Sequence, residues 1–236
     1  MVLAGLLAGV TGRAKEPPAA PGTHLRVLET SAGFELRYTL SIPDGYSPKM
    51  PAPLVLSLHY GFDRSRPYPD HFGRGMLVSL VAPGLEKLKP VIVAPDSHGK
   101  RWSDDVIETS VVELMAKVQG DYAIDPRRIA VVGFSMGGRA SWEYAARHPR
   151  LFTAIIPMAS RVDLATAEAV EVPIFAIHSR ADERVPIAPL QQVIEALKRK
   201  GRKVELLTLD GVRHYETPRY AGALARAVPW LKEVWD

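Results

Sequence analysis

Ile129-Ala130-Val131-Val132-Gly133-Phe134-Ser135-Met136-Gly137-Gly138 runs from an unbroken apolar stretch straight into Gly-x-Ser-x-Gly, and a helix-forming segment, Met136–Arg147, follows at once. The five-residue pattern is common by itself, so its flanks carry the information. A strand that turns directly into a helix around one serine forces that serine into a strained backbone conformation. Strand and helix then lie so close that side chains at 133 and 137 would collide, and glycine stands at both places. The turn lifts the Ser135 hydroxyl to the carboxyl edge of a sheet. The main-chain N–H of Met136 points to the same place, at a helix N-terminus whose dipole favours developing negative charge.

Working outward, the apolar runs Leu54–His59, Val91–Ala94, Ala154–Met158 and Ile174–His178 repeat the pattern of 129–134, with Val204–Leu209 a weaker copy. Continuous apolar runs suit strands covered on both faces. Between them, Val106–Val118 puts Val106, Ile107, Ser110, Val111, Leu114, Met115 and Val118 near one helical face. Pro189–Lys200 is similar, and a final helix is expected over Tyr220–Trp235. Strands alternating with helices give a mostly parallel sheet with right-handed crossovers. Ahead of these, His24–Thr30 and Phe34–Ile42 alternate roughly and meet through Ser31-Ala32-Gly33, a hairpin that adds an antiparallel edge. The expected architecture is α/β, with helices on both faces and one domain over residues 24–236.

A serine hydroxyl is a weak nucleophile until a base takes its proton, and the base needs an orienting carboxylate. Asp182 follows the strand Ile174–His178 in a short loop before Val185-Pro186, so it belongs to the edge where Ser135 emerges. His214 stands on the glycine-containing loop after Val204–Leu209 and reaches the same edge. The order Ser135, Asp182, His214 is the chain order of α/β-hydrolases. Asp163, Asp210 and Glu183 remain rival acids. Among the other histidines, His59 and His178 end buried strands and read as structural hydrogen-bonders; His24 and His148 read as surface residues, and His71 and His98 as loop residues.

A second oxyanion donor is expected from the loop after Leu54–His59, which reads His59-Tyr60-Gly61-Phe62-Asp63. Gly61 lets the backbone turn inward. The Phe62 N–H is the preferred partner of Met136, with Gly61 or Tyr60 as alternatives, and Tyr60 and Gly61 are also candidate pocket residues. His98 and Trp102, in the loop after Val91–Ala94, are further candidates for the pocket wall, although Trp102 equally suits a loop anchor. Ser160–Val172 is too short for a large helical cap, so an open site is expected. Lys198–Lys203, with five basic residues in six, reads as a solvated helix end.

The chain has 236 residues and no cysteine, which excludes a disulfide scaffold, a thiol nucleophile and thiolate metal sites. Thirty basic against 26 acidic residues leave +4, too small an excess to predict a nucleic-acid partner. Nothing calls for a metal or cofactor. Met1–Val10 is an apolar run far shorter than the roughly 20 residues a membrane span needs. It has the look of a signal core without the preceding basic residue. Residues 1–23 are therefore read as a tail or signal remnant, and both a cytoplasmic and an exported protein stay open.

The stretch Asp121-Tyr122-Ala123-Ile124-Asp125-Pro126-Arg127-Arg128-Ile129 leading into Gly133–Gly138 resembles the bacterial phospholipase/carboxylesterase-like branch of the α/β-hydrolases. That branch is close to dienelactone hydrolases, feruloyl esterases, polyhydroxybutyrate depolymerases and the catalytic domain of prolyl oligopeptidases. Ala145–Phe152, and Val172–His178 followed by Asp182 and Val185-Pro186, resemble the same branch. The likeness implies Ser135 as nucleophile, Asp182 as acid and His214 as base. Two departures stand out: His59-Tyr60-Gly61 replaces the usual His-Gly of the oxyanion loop, and His178-Ser179 replaces the His-Gly before the acid. The expectation is a hydrolase of small-molecule carboxylic esters, with a serine peptidase and a non-catalytic hydrolase-fold binding protein as alternatives. Composition and motifs leave the oligomeric state undetermined.

Overall fold

The computed structural model describes residues 19–63 and 65–236, so the reading of Met1–Val10 lies outside the described residues. Eight strands, β1 (Gly22–Glu29), β2 (Glu35–Ile42), β3 (Ala52–Leu58), β4 (Val91–Pro95), β5 (Ile124–Phe134), β6 (Ala154–Met158), β7 (Ile174–Ser179) and β8 (Val204–Leu209), form one sheet in the order β1-β2-β4-β3-β5-β6-β7-β8. Strands β3 to β8 run parallel. The β1–β2 hairpin joins them through an antiparallel β2–β4 ladder. This is the mostly parallel sheet with an antiparallel N-terminal hairpin that the sequence predicts, except that β5 begins at Ile124 rather than Ile129, with a register shift against β3.

The unbroken apolar runs have the expected cause, because each face of the sheet meets its own core. Leu54, Leu56, Leu58, Val131, Ile155 and Ala176 face one core, shared with helices α3 (Asp105–Asp121), α4 (Met136–Arg147) and α6 (Ile187–Arg199). Val55, Ile92, Val132, Ile156 and Ile177 face the other. That second face is covered by a run the sequence reading did not predict: α1 (Gly73–Met76), a π-helical turn Leu77–Val81, α2 (Ala82–Leu85) and a 3₁₀ turn Glu86–Leu88. The expected helix Tyr220–Trp235 is two helices, α7 (Tyr220–Ala225) and α8 (Ala227–Trp235). Pro229 lacks an N–H and its ring crowds the carbonyl four residues back, which favours a break there. Among the described residues no helix is long and apolar enough to cross a membrane.

Strand register sets the height of the loops. Leu58 pairs with Gly133, Phe134 with Met158, Met158 with Ile177, and Ser179 with Leu209. The carboxyl ends of β3, β5, β6, β7 and β8 are therefore level, and the segments that leave them share one rim. Between β6 and β7 that rim carries only the short helix α5 (Leu164–Ala169), with no large cap.

Candidate active site

Ser135 lies between β5 and α4 with φ 54° and ψ −110°, a conformation that costs a non-glycine residue on the order of 1–3 kcal/mol. Its surroundings hold it there. The Ser135 N–H donates to the Met158 carbonyl at 2.9 Å. A Cβ on Gly133 would lie 2.0 Å from the Gly137 carbonyl oxygen, so strand and helix touch backbone to backbone. With the Ser135 N–H spent on β6, the Met136 N–H, at the first position of α4, is left without an intrahelical acceptor.

The three side chains singled out from the sequence meet on the rim. His214 Nε2 lies 3.0 Å from Ser135 Oγ, and its Nδ1 lies 2.8 Å from Asp182 Oδ2. Asp182 and His214 are buried, while Ser135 is half-buried. Asp182 Oδ1 accepts the main-chain N–H groups of Arg184 at 2.9 Å and Val185 at 2.8 Å, so its other oxygen is left for the imidazole. Behind it stands His178. Its Nε2–H donates to the Val185 carbonyl at 2.8 Å and lies 3.6 Å from Asp182 Oδ2, and burial holds its pKa below the ordinary histidine value. The rival acids are otherwise engaged. Glu183 accepts the His214 main-chain N–H at 3.1 Å, Asp163 caps α5 by accepting from Thr166 N at 2.8 Å, and exposed Asp210 pairs with Arg180 at 2.6 Å.

The segment after β3 is tied from behind. His59 Nδ1–H donates to the Tyr60 carbonyl at 2.6 Å, and Nε2 faces the Ser97 N–H and the Tyr68 hydroxyl, each at 3.1 Å. Burial, reinforced by nearby His98, pushes the His59 pKa down to about 4, so the ring is a neutral strut. Tyr68 stacks on His98, whose Nδ1 is 3.2 Å from the Arg37 guanidinium, and Arg37 also pairs with Asp70. Gly61 faces Met136: a Cβ there would lie 4.0 Å from that of Met136. Phe62 packs edge-on against Tyr68 and Phe72.

A cleft of about 820 Å³ opens above Ser135. Tyr60, Gly61 and Phe62 line it on the β3 side, and Arg139, Arg161, Arg184 and Tyr215 on the β6–β8 side. His98 and Trp102 are not among its walls, which corrects that expectation. Trp102 is buried, donating Nε1–H to the His59 carbonyl at 3.0 Å and accepting the Tyr144 hydroxyl at 2.7 Å; it anchors the loop, and His98 lies behind Tyr68. The three arginines and Tyr215 escaped the sequence reading. Their only signal is adjacency: Arg184 follows Asp182 by two positions and Tyr215 directly follows His214.

Residues 94–220, just over half of the chain, match the dienelactone hydrolase family, and the matched stretch includes Ser135, Asp182 and His214. The chain belongs to the dienelactone hydrolase family. Among its relatives is a protein of Aquifex aeolicus named carboxymethylenebutenolidase, 27% identical over a match 131 positions long that covers 51% of this chain and 55% of that one. The chain thus spans about half the length of the curated relatives it matches. A solved thermostable esterase superposes with TM-score 0.73 at 22% identity, covering 89% of this chain and 62% of its own. A ferulic acid esterase superposes with TM-score 0.70 at 16% identity, covering 90% and 98%. Likenesses this remote show that the dienelactone hydrolase family member shares their α/β-hydrolase fold.

Proposed function

We propose that this dienelactone hydrolase family member hydrolyses small-molecule carboxylic esters through a serine acyl-enzyme. The observation that carries the reading is the unbroken line from Ser135 Oγ to His214 Nε2 and from His214 Nδ1 to Asp182 Oδ2, at 3.0 and 2.8 Å, on the floor of an open cleft. Family membership and the esterases that share the fold support ester hydrolysis as the reaction class.

In this reading Ser135 Oγ attacks the ester carbonyl carbon while its proton passes to His214 Nε2. Asp182 keeps the Nδ1 proton in place and stabilises the imidazolium. The oxyanion is held by the Met136 N–H and one N–H of the 60–62 segment, with Phe62 as the donor preferred from the sequence; such a donor lowers the barrier by about 3 kcal/mol. The intermediate collapses, the C–O bond to the alcohol breaks, and His214 gives that oxygen its proton. Water then attacks the acyl-enzyme, giving a proton to His214, and the acid leaves as the proton returns to Ser135.

The test combines a fluorophosphonate probe with turnover of p-nitrophenyl esters. The wild-type protein is expected to label at Ser135 and to hydrolyse short-chain esters, with both lost in folded Ser135→Ala. Near wild-type turnover by that variant refutes the nucleophile, absence of labelling in folded wild-type protein points to a non-catalytic binding protein, and cleavage of peptides in preference to esters points to a peptidase.

A further inference from the structure

The order of proton transfers says which half of an ester occupies which part of the cleft. His214 Nε2 must hand its proton to the departing alcohol oxygen, so the alcohol lies beside His214 and away from the Met136 and 60–62 main chain. Two side chains crowd that place. Tyr215 meets the His214 ring edge-on, with centroids 5.3 Å apart and an interplanar angle of 88°, yet 70% of the residue stays exposed. The Arg184 guanidinium carbon lies 5.9 Å from the centre of the Tyr215 ring.

Arg184 differs from the other arginines on the loops after β7 and β8, although Arg161 on the cleft wall likewise has no ion pair among the described residues. Arg213 pairs with Glu183 at 3.8 Å and Arg219 with Glu216 at 3.2 Å, but among the described residues no carboxylate lies within ion-pair reach of the Arg184 guanidinium. The Arg184 backbone is committed, because its N–H holds Asp182 Oδ1. Backbone and side chain thus have separate tasks: the first fixes the acid, and the second lines the cleft over the ring of Tyr215, most of which stays exposed. A planar cation lying over a largely exposed ring matches a planar ligand that carries a negative charge, since a guanidinium takes a carboxylate through two parallel hydrogen bonds and an exposed aromatic ring takes another ring.

We propose that Tyr215 and Arg184 form the leaving-alcohol subsite, and that it takes an aromatic alcohol bearing a carboxylate. This rests on the ester-hydrolase reading above and names the substrate class for it. The ring packs against the exposed part of Tyr215, the carboxylate meets Arg184, and the phenolic oxygen lies by His214 Nε2, which protonates it as the ester C–O bond breaks. The deciding juxtaposition is an unpaired guanidinium and an exposed ring on the two loops that also supply Asp182 and His214.

The experiment measures kcat/KM for 4-acetoxybenzoate, phenyl acetate and ethyl acetate in wild-type protein and in Tyr215→Ala, Tyr215→Phe and Arg184→Gln. Comparing variants on one substrate cancels that ester's own reactivity. Tyr215→Ala is expected to lose about tenfold more on both aryl acetates than on ethyl acetate, and Tyr215→Phe, which keeps a ring, is expected to retain the aryl preference. Arg184→Gln is expected to lose about tenfold more on 4-acetoxybenzoate than on phenyl acetate, and raised salt is expected to erode the same preference in the wild type. Ratios constant within about twofold across the variants overturn the subsite. Fluorophosphonate labelling run in parallel keeps the two failures apart: labelled protein with flat ratios refutes the subsite alone, whereas unlabelled wild-type protein refutes the nucleophile and the subsite with it.

Discussion

A β-carbon placed on Gly137 would lie 1.8 Å from the carbonyl oxygen of Leu58. The first turn of α4 therefore rests on the end of β3 with no room for a methyl group, and the serine turn and the segment after β3 are held at one separation. Gly137→Ala forces these backbones apart. It is expected to destabilise the protein by about 3 kcal/mol or more, the upper end of overpacking costs, because main chain cannot rotate aside as a side chain can. Urea unfolding of the purified variant checks this, and a midpoint equal to wild type contradicts it.

Asp182→Asn separates geometry from charge. The new side-chain oxygen can still accept from Arg184 and Val185, so the loop is expected to keep its form and the melting temperature to change little. The amide nitrogen then faces His214 Nδ1 and favours the tautomer that puts a proton on Nε2. A fall in kcat of about 10⁴ is expected with the fold intact. Activity and circular dichroism on the same preparation decide it.

His178 reaches Asp182 at one remove, since it holds the Val185 carbonyl while the Val185 N–H holds Asp182. His178→Leu leaves a half-buried carbonyl without this partner, at a cost of about 1 kcal/mol. The expectation is a kcat loss of about tenfold with KM nearly constant. His178→Gln, whose amide N–H can reach the same acceptor, is expected to recover most of it. Equal kcat in the two variants would show that the residue only fills space.

Acid stability follows from the buried imidazoles. His59 and His98 are both pushed down to about 4, chiefly by burial, and His178 is lowered for the same reason. A group whose folded pKa lies below its unfolded value of 6.5 contributes its full stabilisation above pH 6.5 and loses it as the pH falls towards 4. His59 alone accounts for about 3 kcal/mol of this loss, with a smaller share from His98, which water partly screens. Asp96 works in the opposite sense, because burial holds its carboxyl above the usual range and acidification relieves it. A clear drop in the urea midpoint between pH 7 and pH 4.5 is expected, and a flat profile over that interval would contradict the neutral, buried state of His59.

The parts of the fold that were readable from residues alone are those with one dominant physical cause. Strands buried on both faces have to be apolar throughout, so β3 to β7 stand out. Once Ser135 marks a carboxyl edge, parallel topology delivers Asp182 and His214 to it. The run 73–88 was illegible because Gly73, Gly75, Pro83 and Gly84 look like breakers. Two of them serve contact instead: a Cβ on Gly73 would lie 2.8 Å from the Pro95 carbonyl oxygen, and one on Gly84 would lie 2.8 Å from Leu224. His98 and Trp102 misled because leaving a strand at the right edge does not say which way a loop turns. Arg139, Arg161 and Arg184 carry no periodic signal at all.

Arg37 ties the amino-terminal hairpin to Asp70 and His98, and from there Tyr68, His59 and the Tyr60 carbonyl follow in sequence. The pair of strands farthest from the serine along the sheet is thus an outrigger for the backbone that faces it. Damage at that margin, whether by proteolytic nicking or by a crowding neighbour, would reach the chemistry as a gradual slackening, and turnover would fade while the bulk of the fold still stood.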